Sequence, residues 1–170
     1  MGKGSVFAPD ARLELIEGEI IEMAPIGPPH AGTVAILGRL LERAAGDDAV
    51  VWVQNPVRLG ERSMPQPDVA LLKPRADMYT RSHPVPADVL LLVEVSDMTL
   101  RFDVTTKMPL YARAGIVEAW VVDVDSAAVQ VFRDPDAASY RTSFTVAGSE
   151  RLSSRAMPEI GIRVSELFPG

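Results

Sequence analysis

The sequence predicts a mixed α/β domain, a central mixed β-sheet flanked by helices and preceded by an N-terminal β-hairpin. Three observations carry that expectation. Val89 to Val95 is nearly uninterrupted aliphatic, the pattern of a central strand covered on both faces. Val34, Leu37, Leu41 and Ala44 recur at the spacing of one helix face. Leu13–Ile16 and Glu19–Met23 flank Glu17-Gly18, which reads as a tight hairpin turn.

The elements follow in order. After the hairpin, Pro25-Ile-Gly-Pro-Pro29 forms a rigid loop, and Pro29 suits the first position of a helix running to Ala45. Gly46 supplies its stop. Val50–Val53 and Pro67–Leu72 read as the next strands, and Val89–Val95 as a third. The polar, proline-containing stretch from Lys73 to Asp88, with Arg75, Arg81 and His83, reads as a surface loop able to shape a substrate entrance. A second helix is expected from about Arg101 to Ala114, stopped by Gly115. Pro109 lies inside it and should kink it by removing a backbone hydrogen bond. Val117–Asp123 and Val129–Phe132 make further strands, with weaker ones near Tyr140–Phe144 and Ile160–Val164. No repeat or linker divides the chain, so residues 1–170 are expected to form a single domain.

Composition narrows the function. Near-half apolar content in 170 residues supports a sizeable core and excludes a disordered chain. No window approaches the roughly 20 apolar residues of a membrane span, and the N-terminus lacks the apolar run of a secretory signal. With no cysteine there is no disulfide framework and no thiolate metal site, and a cytoplasmic location is the expectation. The net charge of −6 argues against a simple basic-groove nucleic-acid binder. It is compatible with a metal-dependent enzyme whose cation supplies positive charge where phosphate sits.

Two apolar strands each carry one carboxylate, Asp68 and Glu94. Burying an unpaired carboxylate costs several kcal/mol, so packing alone gives no reason for them. Alternation along a strand puts Asp68 with Ala70 and Leu72, and Glu94 with Leu92 and Ser96. Neighbouring strands would bring both acids to one face, where a hard cation such as Mg²⁺, or Mn²⁺ in its place, is held by carboxylates, waters and phosphate oxygens. The backbone carbonyl of Val95 could add a ligand. Lys107, four residues after Asp103 on the expected helix, could orient a metal-bound water or stabilise phosphorane charge; the plainer reading is an i,i+4 ion pair with Asp103. Glu14 could provide another carboxylate, or be one of several acids on an exposed hairpin. His30 could contact phosphate or donate a proton, or simply cap a helix start. Tyr111, one turn beyond Lys107, reads first as a core aromatic with a bonded hydroxyl, and Trp52 and Trp120 as packing.

Pro67-Asp68, Glu94-Val95-Ser96 and Asp103-x-x-x-Lys107, followed by Leu110-Tyr-Ala112 and Gly115–Asp123, resemble a large bacterial family of restriction-endonuclease-like proteins within the PD-(D/E)XK nuclease superfamily. Leu13–Ile20 and His30 extend the resemblance over most of the chain. It implies a restriction-endonuclease-like sheet, Mg²⁺-dependent cleavage of DNA phosphodiester bonds, and an acid–acid–lysine site. By position, Asp68 and Glu94 match the two acids. The general pattern has lysine two residues after the second acid, where this chain has Ser96; the resembling family places its lysine on the following helix, and Lys107 matches it. The alternative is a catalytically silent nuclease fold serving as an interaction or nucleic-acid-binding module, with a hydrolase of smaller phosphoesters as a third reading. Double-strand cutting from one site per chain would call for a homodimer.

Overall fold

The structure is a computed structural model that describes residues 7–170. Strands β1 (Leu13–Ile16) and β2 (Glu19–Glu22) form the expected hairpin, with Leu13 opposite Glu22. Its turn places Glu17 and Gly18 at positive φ, and a Cβ on Gly18 would come within 2.9 Å of the Arg62 guanidinium. Glycine therefore answers both the backbone and the space there. Helix α1 (Pro28–Ala45) opens on two prolines, whose missing N–H groups would have no partner in a first turn anyway.

The main sheet has six strands in the order β3-β4-β5-β6-β7-β8. These are Val50–Val53, Val69–Leu72, Val89–Ser96, Glu118–Asp123, Ala128–Pro135 and Tyr140–Ala147. Every neighbour is antiparallel except β5 and β6, which run parallel. A parallel pair needs a crossover, and the second helical segment supplies it. That segment is not one kinked helix. A short turn, α2 (Leu100–Phe102), passes through a π turn (Asp103–Lys107) into α3 (Met108–Arg113). Pro109 offers no N–H and its ring would crowd the carbonyl four residues back. The π turn lies just before that proline, where a wider turn leaves room for its ring. The last strands, β9 (Arg151–Leu152) and β10 (Ile162–Arg163), pair with each other outside the main sheet. β9 carries too few residues to show a period and was not foreseen.

Strand alternation sorts the core into two layers. Val69, Leu71, Leu91, Val93 and Trp120 pack with Leu37 and Leu41 of α1. Ala70, Leu72, Leu92 and Val121 pack with Met108 and Tyr111. Leu37 and Leu41 are fully buried; truncating either to alanine would cost about 2–5 kcal/mol. Asp68 and Glu94 share the parity of Ala70 and Leu92, so both carboxylates fall on the α3 side of neighbouring strands. Among the described residues no helix is long and apolar enough to cross a membrane.

Candidate active site

Five charged side chains, Glu14, Asp68, Glu94, Asp103 and Lys107, are no more than 5 % exposed, and all line one cavity of about 670 Å³. Asp68 stands immediately before β4, held by three donors. His30 Nε2 lies 3.1 Å from its Oδ2, the Val95 N–H donates to Oδ2 at 2.8 Å, and Gln54 Nε2 donates to Oδ1 at 3.3 Å. Burial pushes this carboxyl's pKa up, but the His30 and backbone donors outweigh it and hold it below the ordinary range. Asp68 is thus a carboxylate at neutral pH. Its hydrogen bond in turn raises the pKa of His30 against the opposing effect of burial.

Glu94 sits near the C-terminal end of β5 and accepts two hydrogen bonds on Oε1, from Lys107 Nζ at 3.1 Å and Tyr111 Oη at 2.5 Å. Lys107 also donates to Glu14 Oε1 at 2.9 Å, and the Gln66 N–H donates to the same oxygen at 2.8 Å. Burial alone would lower the lysine's pKa. The charges of Glu94, Glu14 and Asp103 outweigh it and raise the Lys107 pKa, so it stays an ammonium. The same burial pushes the Glu94 and Tyr111 pKa values well up. The pocket therefore carries more acids than bases, a surplus that a cation would relieve.

The free oxygens are informative. Glu94 Oε2 accepts no hydrogen bond among the described residues, and Asp68 Oδ1 has only the long contact from Gln54. No three His, Cys, Asp or Glu side chains among the described residues stand ready to hold a metal by themselves. Mg²⁺ asks for less, one or two carboxylates completed by waters and substrate oxygens. One hard oxygen on each acid at a cavity surface fits that ion, and the absence of thiolates in the chain disfavours a soft one.

Two hydrogen-bonded groups thus meet at one cavity, Asp68 with His30, and Glu94 with Lys107, Glu14 and Tyr111. Glu14 is not an exposed hairpin acid, because it occupies the inward face of β1. Lys107 forms its ion pairs with Glu14 and Glu94 rather than with Asp103. Asp103 instead accepts from Ser96 Oγ at 2.5 Å and Thr99 Oγ1 at 2.7 Å, which ties the start of the π turn to the end of β5. Val95 presents its N–H to Asp68, which leaves its carbonyl as a separate group. The Lys73–Asp88 loop does not line this cavity; its Arg75 pairs with Asp77 and lies 3.9 Å over the Tyr79 ring. Two side chains at the site were missed from sequence, Gln54 and Arg12. Neither lies in an apolar run, so no local pattern marks them.

The chain matches the model of the Uma2 family, described as "Putative restriction endonuclease", over residues 5–165. It is also similar to a solved structure of a protein from Anabaena variabilis described as a "putative nuclease belonging to DUF820". That similarity has a TM-score of 0.74 at 16 % identity, covering 94 % of this chain and 90 % of the other, and at such identity it speaks for the fold. No curated protein matches the chain. With the mixed sheet, the hairpin and a family match spanning nearly the whole sequence, this chain belongs to the Uma2 family of restriction-endonuclease-like proteins.

Proposed function

We propose that this chain is a Mg²⁺-dependent nuclease that hydrolyses DNA phosphodiester bonds in this cavity. The observation that carries the reading is the convergence of Asp68, Glu94 and Lys107 on one cavity, with Glu94 Oε2 free of hydrogen bonds and Asp68 Oδ1 held only by the 3.3 Å contact from Gln54. Asp68, Glu94 and the Val95 backbone are the residues that would hold the cation. Bound there, Mg²⁺ would acidify a water and neutralise phosphate charge.

The chain's own groups take distinct parts. Lys107 is kept charged by its two carboxylates, so it acts as a hydrogen-bond donor and positive charge and not as the base. It favours the extra negative charge that develops as water adds to phosphorus and the bond to the leaving oxygen breaks. Glu14 and Tyr111 fix the lysine and Glu94, respectively, so their rotamers are set before substrate arrives. His30 and the Val95 N–H fix Asp68 in the same way. Cutting both strands of a duplex would require two copies of this single site.

Calorimetric titration with Mn²⁺ tests the reading, comparing the natural chain with Asp68→Asn. Saturable binding lost in the variant, followed by Mg²⁺-dependent cutting of a DNA panel, supports it. Equal binding in both proteins would move the cation away from Asp68 and overturn it.

A further inference from the structure

Three basic side chains line the cavity, Arg12, His30 and Lys107. Lys107 is consumed by Glu14 and Glu94, and His30 is engaged with Asp68 through Nε2. Arg12 is different. Its side chain forms no hydrogen bond or ion pair among the described residues, although Glu22, Asp97 and Asp103 line the same cavity. Its Nη2 is buried without a partner, and so is His30 Nδ1. These are two of the four such side-chain atoms among the described residues, and both belong to this cavity. Both side chains line the same cavity. The backbone of Arg12 is fixed, since its carbonyl accepts the Met23 N–H at 2.8 Å across the open end of the hairpin.

A buried donor left unmade is expensive, and more so on a charged group. Orphaned donors of this kind point to an ion or ligand that completes them. A guanidinium presents a planar fork matched to phosphate oxygens. Beside it the cavity offers an apolar wall of Ile21, Met23, Ile26, Met98 and Phe102, with Met98 93 % exposed. An oxyanion next to an apolar surface is the chemistry of a nucleotide, phosphate on one side and base on the other. The cavity volume lies in the range that accepts a small ligand, roughly 300–1,000 Å³.

We propose that Arg12 is a phosphate-recognition residue of this cavity, binding the oxygens of a nucleotide phosphate whose base rests on the hairpin-side apolar wall. The inference rests on the nuclease reading for the identity of the substrate but not for the existence of the anion site. Among the described residues Arg12 is the cavity cation that no carboxylate pairs, and it adds to the charge that Lys107 brings to the reacting phosphate.

The test is titration of this 170-residue chain with thymidine 3′,5′-bisphosphate in EDTA, where no catalysis occurs. The natural chain should bind, and Arg12→Gln should weaken binding by about ten-fold or more. Arg12→Lys, which keeps the charge, should recover part of the loss and so separate recognition from folding. Both variants should melt no lower than the natural chain, because the group removed has no partner to lose. Inorganic phosphate should bind more weakly than the bisphosphate if the apolar wall contributes. Equal affinity in the natural chain and Arg12→Gln, or no saturable binding by the natural chain, would overturn the proposal. Arg12-dependent binding with no DNA cut under Mg²⁺ or Mn²⁺ would leave the phosphate site standing and remove the nuclease reading.

Discussion

Glu94 on β5 and Glu118 on β6 occupy adjacent parallel strands, are 2 % and 1 % exposed, and each meets a basic side chain. Glu118 Oε1 accepts from Trp120 Nε1 at 2.8 Å and Arg133 Nη2 at 3.1 Å, while Oε2 accepts the Arg155 N–H at 2.8 Å. Both of its oxygens are spoken for, and it lines no described cavity. Glu94 uses one oxygen for Lys107 and Tyr111 and keeps the other free at a cavity crowded with acids. Burial alone does not mark a site. What separates the two glutamates is an unsatisfied oxygen and a surplus of like charge, which Glu118 lacks because its neighbours were chosen to close it.

The contrast can be broken most directly by exchanging carboxylate for amide at each position. Glu94→Gln should abolish Mn²⁺ binding in calorimetry and, with it, detectable DNA cutting; Glu118→Gln should leave metal binding intact. Metal binding that survives in Glu94→Gln but fails in a folded Glu118→Gln would reverse the assignment.

Lys107→Met should lower the cleavage rate by roughly 10²–10³-fold, the size of losing one preformed donor to a developing charge, while metal affinity changes little. Because the substitution leaves Glu14 and Glu94 buried without their cation, it is best paired with Glu14→Gln as a folding control. Single-turnover kinetics would check it, and turnover at the natural rate would remove Lys107 from the mechanism.

Glu118→Gln should instead reveal itself in stability. Its amide cannot satisfy Arg133, Trp120 and the Arg155 N–H together, so unfolding by urea should show a loss of about 1–3 kcal/mol. A midpoint equal to the natural chain's would mean that the Glu118 network is not the closed structural unit described above.

The smallest effect should come from Tyr111→Phe, which deletes one hydroxyl and keeps the ring in the core. A loss of about 1 kcal/mol in Mn²⁺ binding or activation is expected, or up to about ten-fold. An effect as large as that of Glu94→Gln would show that the hydroxyl takes part in more than positioning.

Much of this was legible from local pattern. The hairpin at Glu17-Gly18, the stop of α1 at Gly46 and the aliphatic run of β5 each rest on a period or a turn residue readable over a few positions. Strand parity likewise put Asp68 and Glu94 on their correct faces. The argument from an acid in an apolar strand also applies word for word to Glu118, and there it would have misled. Sequence holds no record of whether Arg133 and Trp120 will close around a carboxylate. Nor does it disclose that Lys107 passes over Asp103, four residues away, for Glu14, which is 93 residues away. Lys107 closes the π turn, a local geometry that the residue pattern did not mark.

The amino-acid sequence by itself therefore determined most of the elements, the two-faced character of the strands and the presence of a family pattern of acid, acid and lysine. The first two follow from short-range sterics and from hydrophobic periodicity, which act between residues a few positions apart, and the third rests on the family resemblance. The tertiary structure alone decided that β4 and β5 are neighbours and that the hairpin delivers Glu14 and Arg12 to the cavity. It also decided which buried acid keeps an oxygen free. Those outcomes depend on which distant groups share a low-dielectric space, where a hydrogen bond made or missed is worth far more than the local preferences that precede it.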